Sequence, residues 1–560
     1  MNRRIGYAIL AALLATLFSG LALAMVQEAG PPDDVGQAES SLAPASAVYT
    51  YTTIITVTSG TDPDDSQSTT CYTNPAGPPG PPATPCTLRR AIVEARALSD
   101  SERPVLIRFN IPTTETQSYS PTLGIWKINL LSTSDPSVLR RLNGRIVIDG
   151  DTQPGGRAAG LKIFLVGPTT GQKDGLVVGD VAGDNGHIIR GLGFQNFKTH
   201  MFVNTNDNLI ENNWFGLNDA GDSVYLRGNN PQDGSGSAGI DTSGGTTGAS
   251  NNTIRNNVLL GFDGMAIALK GGGANVVTDN WIGTDAGGNV LVKQTDPSLV
   301  CTTVDWLGGG GISVAGINHR IENNVIAGLR QEIFAISTQP DALRVSVTGI
   351  TGHVIQNNRI GVDQGGREVG VCGRGIYMSG DMQNTQVISN VIVNPGLSGI
   401  SLNDLLYDAA TLRRNVIKRT SGWPAVSGNP KPEDAIQLGP LLPDAFELFQ
   451  PAKVTRINGT AVSGASGDGS PCPNCVIELF LDDTDTITEA LQSLAVVTAT
   501  ASGDWTAALP SALSQDQGIR TTSTSAQYNT ISGMSAGTTT GLSVLYIPAY
   551  RVFLPLVTRN

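Results

Sequence analysis

Seven times between Ile210 and Ile417 the chain sets an apolar residue, one or two polar residues and an Asn ahead of a further apolar pair. The aligned residues are Asn213, Asn257, Asn280, Asn324, Asn358, Asn390 and Asn415, at steps of 44, 23, 44, 34, 32 and 25. The two steps of 44 read as two turns of 22. A period in the low twenties with no helical stretch inside it predicts a solenoid of short strands and sharp corners. A leucine-rich repeat shares the period but needs a Leu-x-x-Leu-x-Leu pattern that this sequence does not show.

Alternation along a strand assigns the faces. In the unit Ile210 to Gly216, Ile210 points inward and Glu211 outward, and a corner at the Asn pair turns Trp214 out and Phe215 in. The same inward place is held by Leu259, Ile282, Ile326, Ile360, Ile392 and Ile417, giving one apolar stack. A second inward row runs through Ile240, Ile267, Ile312, Ile336, Ile376 and Ile400. Asn side chains in register at a corner can bond amide to amide along the axis, and they are expected to line an outer edge of the pile. Residues 105 to 425, at about 22 to 28 per coil, predict roughly 12 coils and a rod near ~55 Å long.

The remaining segments frame this solenoid. Arg3 and Arg4, the apolar run from Ile5 to Phe18 and Ala22-Leu23-Ala24 read as a signal peptide over 1–24, so the chain is expected to be secreted, extracellular or held at the cell surface. Residues 25–48 read as a flexible linker. No later apolar run approaches the roughly 20 residues of a spanning helix. Residues 49–110 read as an N-terminal cap, a strand followed by a helix in CTLRRAIVEARAL, where Leu88, Ile92 and Ala95 share one face and Thr87 caps the start. The parallel β-helix is assigned to 111–425, a linker to 426–450 and an antiparallel sandwich to 451–547, because its strands alternate between Gly, Asp and Ser turns. The tail, 548–560, reads as a last strand or a sorting tag. The predicted fold class is all-β.

Composition narrows the partners. Without the leader the net charge is −14, which repels phosphate backbones, so no nucleic-acid partner is expected. Six Cys against four His in an exported chain point to disulfides and not to a metal. Adjacent pairing would join Cys71 with Cys86, Cys301 with Cys372 and Cys472 with Cys475, although connectivity is not readable from sequence.

The strings ITVTSGTDPDD, CTLRRAIVEAR, IRFNIP, IVIDGDTQPGG and NWIGTDAGG resemble, in this order, the CSLREA-type secreted bacterial proteins with right-handed parallel β-helix repeats of the pectin-lyase-like fold. The resemblance covers roughly residues 50 to 420. Arg90 stands where that motif has Glu. The resemblance implies architecture and export and brings no agreed activity. The C-terminal segment resembles the immunoglobulin-like modules of bacterial surface proteins.

Any catalytic group of a solenoid stands on its outward faces. A lyase needs carboxylates on adjacent coils holding calcium, with a basic residue beside them. The outward position before the Asn carries Glu211, Arg255, Thr278, Glu322, Gln356, Ser389 and Arg413, with no two acids adjacent. Asp219, Asp285 and Asp363 are taken as equivalent loop residues about three coils apart and read as turn residues. Asp219 with Asp222, or Asp305 beside Trp306, could be placed in a glycosidase role, with nothing to single them out. His187 and His353 read as coil-surface residues. The one suggestive surface feature is Trp214 and Trp281 in the same outward position, with Arg359 in their row. These suit stacking on a sugar ring or packing beneath the Gly-Thr-Asp-type arm that follows. The expectation is therefore a non-catalytic secreted or cell-surface β-helix in adhesion, glycan contact or envelope structure, with extracellular polysaccharide or cell-envelope components as partners and no cofactor. The alternative is a polysaccharide lyase or glycoside hydrolase on the same fold.

Overall fold

The chain divides into two compact units, residues 1–50 and 51–560. The computed structural model describes residues 50–548 except 63–70, 72, 75–84, 132–136, 169–172, 181–183, 226–237, 243–247, 263, 291–309, 330–335, 339–351, 379–383, 403–409, 420–434, 439–448, 486 and 528–534. The expected leader, the linker 25–48, most of the tail, Cys301, Asp305 and Trp306 lie outside the described residues.

The second unit is a parallel β-helix closed at its C-terminal end by an antiparallel module. Three sheets of twelve, eleven and nine strands run side by side, and the chain visits them in rotation. The first sheet contains Thr53–Val57, Val105–Phe109, Ile146–Asp149 and Ile188–Arg190, then one strand from each Asn repeat up to Thr411–Arg413. Its neighbours pair in parallel, apart from the short antiparallel strand Thr73–Asn74 at the start. Eleven parallel strands, about 4.8 Å apart, make a stack of ~48 Å.

The register corrects the arithmetic of the repeat. Ile210, Ile254, Val277, Ile321, Ile355, Val387 and Leu412 are successive partners, so every Asn step is one coil, including both steps of 44. Parallel pairing fixes which residue faces the core, so coils of different length keep one register. Phe215, Leu259, Ile282, Ile326, Ile360, Ile392 and Ile417 are buried in one column, as expected, and so are Ile240, Ile267, Ile312, Ile376 and Ile400. For Ile336 only the backbone is described; it pairs between Ile312 and Ile376.

The Asn row lines the inside of the coil and not its outer edge. The residue before each Asn has a left-handed backbone: Asn212, Asn256, Asp279, Asn323, Asn357, Ser389 and Arg414, with φ between 52° and 58°. That rotation returns the next side chain to the interior, where the aligned Asn residues are at most 3 % exposed. A buried amide must then bond at both ends. Asn257 donates from N and Nδ2 to Asn280 Oδ1, both at 3.0 Å, and Asn280 does the same to Asn324. Because the backbone N–H of one coil is satisfied by the side chain of the next, the ladder fixes register as well as pitch.

A second ladder, unexpected from the sequence, occupies the corner that leads into the first sheet. Its members are His187, Asn208, Asn252, Asn275, His319 and His353, each accepting a backbone N–H from the preceding coil at 2.8–3.3 Å. His187 and His353 are therefore interior residues, 0 % and 2 % exposed, and not coil-surface ones. A neutral imidazole Nδ1 accepts as an Asn oxygen does, so His and Asn interchange along this row.

At the N-terminal end the helix Leu88–Ala97 is capped by Thr87, whose hydroxyl accepts from Arg90 N, and it buries Leu88, Ala91, Ile92 and Ala95. Arg89 is buried against Asp62 and the Val138 carbonyl. Arg90 reaches Glu94 at 2.8 Å. Cys71 bonds Cys86 and Cys472 bonds Cys475, and Cys372 is disulfide-bonded.

The interval 426–450, read as a linker, carries a further rung: Ile436–Leu438 pairs in register with Ile400–Leu402. Beyond it, two three-stranded antiparallel sheets pack around Trp505, Ile477 and Leu479. This module bonds to the open edge of the last coil. Ile417 and Ala490 exchange backbone bonds at 2.9 and 3.0 Å, Arg414 N donates to both Glu478 oxygens at 2.9 Å, and Arg419 N donates to Glu489. A solenoid end exposes unpaired strand groups, and this contact satisfies several of those on the last strands of the first and second sheets.

Candidate functional site

The outward row of the second sheet is Lys127, Phe164, Gly193, Trp214, Val258, Trp281, Val325, Arg359, Val391 and Val416. Trp214, Trp281 and Arg359 share this row on alternate rungs, and all three are half-buried. Each is followed by a Gly in the left-handed region, Gly216, Gly283 and Gly361, from which an arm leaves the coil. Asn218, Asp285 and Asp363 turn the three arms. Asn218 Oδ1 accepts from Gly221 N and Asp222 N, Asp285 Oδ1 from Gly287 N and Asn289 N, and Asp363 Oδ1 from Arg367 N.

This geometry corrects the alignment of the loop acids. The counterpart of Asp285 and Asp363 is Asn218, not Asp219, and the arms lie two coils apart, about 9.6 Å at the strand spacing. Asp219 is engaged separately, by Lys127 Nζ at 2.9 Å to each oxygen and by Gln195 Nε2 at 3.0 Å. Asp222 accepts from Asn218 Nδ2.

The arms lean on one another: Ala286 N donates to Gly221 O at 2.8 Å and Gln364 N to Gly288 O at 3.0 Å. Beneath them lie Leu217, Val258, Leu260, Val290, Ala327 and Val369, with both indoles against this apolar layer. Gly221, at φ 82°, lets its arm lie against the Trp214 ring; a Cβ there would come within 2.6 Å of it. The other side of Trp214 meets Phe164 edge-on at 6.1 Å and the Arg157 guanidinium at 5.1 Å. Burial pulls Arg157 below its ordinary pKa, partly offset by Asp219. Its Nε and Nη2 have no hydrogen-bond partner among the described residues, while Nη1 donates to Asp219 O at 2.7 Å. Arg359 is tied to its own arm, Nη2 to Asp363 O at 2.9 Å. Each planar group thus spends part of its surface on the arm and leaves part toward solvent.

The first sheet carries a charged outward row that begins earlier than the Asn repeat. Asp149, Arg190, Glu211 and Arg255 are consecutive partners. Arg190 pairs with Asp149 at 2.6 Å, Arg255 with Glu211 at 2.7 Å, and Arg190 lies 3.7 Å from Glu211. Asp149 and Arg190 were missed because their coils lack the Asn; the alternation in IVID and IIR was the available signal. In the later coils Ile388, not Ser389, holds the outward place, since Ser389 is itself the left-handed corner. Glu322 is drawn down by Arg320, with Gln356 also bonding it. Asp151, at the first-sheet corner, is pushed up by burial and by Asp149.

Among the described residues, one carboxylate group has spacing suited to a cation: Asp482, Asp483 and Glu489 offer oxygens within 4.8 Å of one another. Such hard oxygen donors fit calcium in kind, but Arg520 already pairs with Asp482. Burial, then Asp482, Asp483 and Asp485, push Glu489 to about 7.

Stacked parallel sheets, two buried polar ladders and a roofed row of planar side chains make this a parallel β-helix protein with an antiparallel end module. No protein-family profile matches the chain, and no curated protein matches it. Among solved structures it is similar to a tailspike protein of E. coli bacteriophage HK620 in complex with hexasaccharide, at 10 % identity over 78 % of this chain and 88 % of that one, TM-score 0.33. It is also similar to the catalytic domain of a GH87 α-1,3-glucanase in complex with nigerose, at 13 % identity over 64 % and 66 %, TM-score 0.27. A third is the catalytic unit of the GH87 α-1,3-glucanase of Streptomyces thermodiastaticus strain HF3-3, at 12 % over 63 % and 64 %, TM-score 0.26. These likenesses are distant, and the β-helix is established by the strand pairing of the chain itself.

Proposed function

We propose that this is a secreted or cell-surface β-helix that contacts polysaccharide along the arm-bearing face of its second sheet, without catalysing its cleavage. The observation that carries the reading is the row of Trp214, Trp281 and Arg359, half-exposed and evenly spaced on a rigid sheet. Planar groups with an apolar face and a polar edge suit sugar rings, whose C–H faces stack and whose hydroxyls bond at the rim.

The non-catalytic choice is supported by how the nearby acids are used. Asp285 and Asp363 hold arm backbone N–H groups, Asp219 is held by Lys127, and Glu211 lies between Arg190 and Arg255. A hydrolase needs two free carboxyl groups across a cleft, one of them poised as an acid. Affinity electrophoresis through gels cast with cell-wall and capsular polysaccharides tests the proposal, alongside an assay for new reducing ends and unsaturated uronates. Retardation without product is expected. Product release would establish the carbohydrate-active alternative, and absence of retardation in every polysaccharide would end the glycan reading.

A further inference from the structure

The planar residues of the arm-bearing row fall on every second rung, with Gly193, Val258 and Val325 between Phe164, Trp214, Trp281 and Arg359. Phe164 is fully buried, so three of the four reach solvent. From the strand spacing, Trp214 to Trp281 and Trp281 to Arg359 are each about 9.6 Å along the axis. An extended β-1,4-linked hexopyranose chain turns alternate rings to the same side, and its disaccharide repeat closely matches two rungs of parallel sheet. We infer that the ligand of this face is a neutral, extended β-1,4-linked polysaccharide lying parallel to the solenoid axis, with every second sugar seated on one of Trp214, Trp281 and Arg359. The inference rests on the glycan-contacting reading above and names the polymer it would take.

Two further features support the assignment. The arms share the two-rung period: Gly221 lies against the Trp214 ring, Gly288 beside the Trp281 ring, and Asp363 O of the third arm accepts from Arg359 Nη2. The exposed edges therefore keep step with the coil and cannot drift relative to one another. The chain carries a net charge of −12, which disfavours a polyanionic chain. An α-linked helical glucan would present its rings at changing angles and could meet only one of the three positions at a time.

Calorimetric titration of the full protein with cello-, manno- and chito-oligosaccharides from two to eight residues tests this, with malto-oligosaccharides of the same lengths as the comparison. The expected result is an affinity that climbs as each second sugar is added, up to a penta- or hexasaccharide, and is level beyond, in at least one β-1,4 series. Trp281→Ala should weaken the hexasaccharide about tenfold, the order of one lost aromatic contact, and leave the disaccharide little changed. Trp214→Phe keeps a ring beneath its arm and checks that any loss is not a folding defect. Equal binding of the malto-series, or binding with no dependence on length, would overturn the polymer assignment while leaving glycan contact standing. No binding of any series, together with no retardation in the polysaccharide gels, would remove both.

Discussion

Asn280 sits at the middle of the inner ladder, and replacing it with Ala tests whether that ladder holds the solenoid together. Its Oδ1 accepts from the backbone N and Nδ2 of Asn257, both at 3.0 Å, and its Nδ2 donates to Ile254 O at 2.9 Å and to Asn324 Oδ1 at 3.0 Å. The residue is 0 % exposed, so water does not replace these bonds without entering the coil. Asn280→Ala deprives at least the Asn257 N–H and the Ile254 carbonyl of these partners, at about 1 to 3 kcal/mol for each orphaned buried group. Allowing for partial relaxation, a loss of about 3 kcal/mol is expected. Urea unfolding followed by tryptophan fluorescence and far-UV circular dichroism measures it. A stacked array can also uncouple at its weakest interface, so a second transition in the variant counts as the same effect. Thr278→Ala, two residues away on the outer face, should stay within about 0.5 kcal/mol of the parent. If Asn280→Ala is as mild as that control, the amide ladder does not carry the coil register and the reasoning fails.

Two pH dependences follow from buried titratable groups. Burial holds His319 at about 4, and burial together with His319 holds His353 at about 3; both lie below the ordinary value near 6.5. A depressed folded pKa gives stability that is present above pH ~6.5 and is lost as pH falls toward those values. The double variant His319→Asn and His353→Asn keeps an acceptor at each rung and should flatten the fall in melting temperature between pH 6.5 and 3.5; an unchanged slope would refute the assignment. Glu489 behaves oppositely. Its pKa is raised to about 7, so its contribution is present below the unfolded value near 4.5 and is lost as pH rises through 7. Glu489→Gln should leave the melting temperature of the end module nearly flat between pH 5 and 8, and a parent-like decline in the variant would assign the effect elsewhere.

The inward columns were legible because burial leaves a direct mark on residue type: Phe215, Ile282 and Ile360 are apolar wherever the coil passes the core. The same logic placed Trp214, Trp281 and Arg359 in one outward row. The position of the Asn was readable, but not its direction, since the inward turn depends on the left-handed backbone of the residue before it. That residue is Asn, Asp, Ser or Arg in different coils and gives no constant signal. The histidine ladder was hidden for a related reason. His187 and His353 look like polar surface residues until the coil stacks an Asn or a His in line with each of them. Asp149 and Arg190 carry no such repeat signal, because the early coils lack the Asn.

By itself the sequence determined that this chain would wind into a β solenoid with a hydrophobic column, a stabilised start and a separate β module at its end, because alternation and periodicity are local properties of the chain. Only the tertiary structure decided how many residues make a coil, where the polar ladders point, which loop residues are equivalent and that the end module seals the last rung. Those depend on register between strands tens of residues apart. Register is set by which buried side chains and backbone groups satisfy one another across coils, and no single segment contains that information.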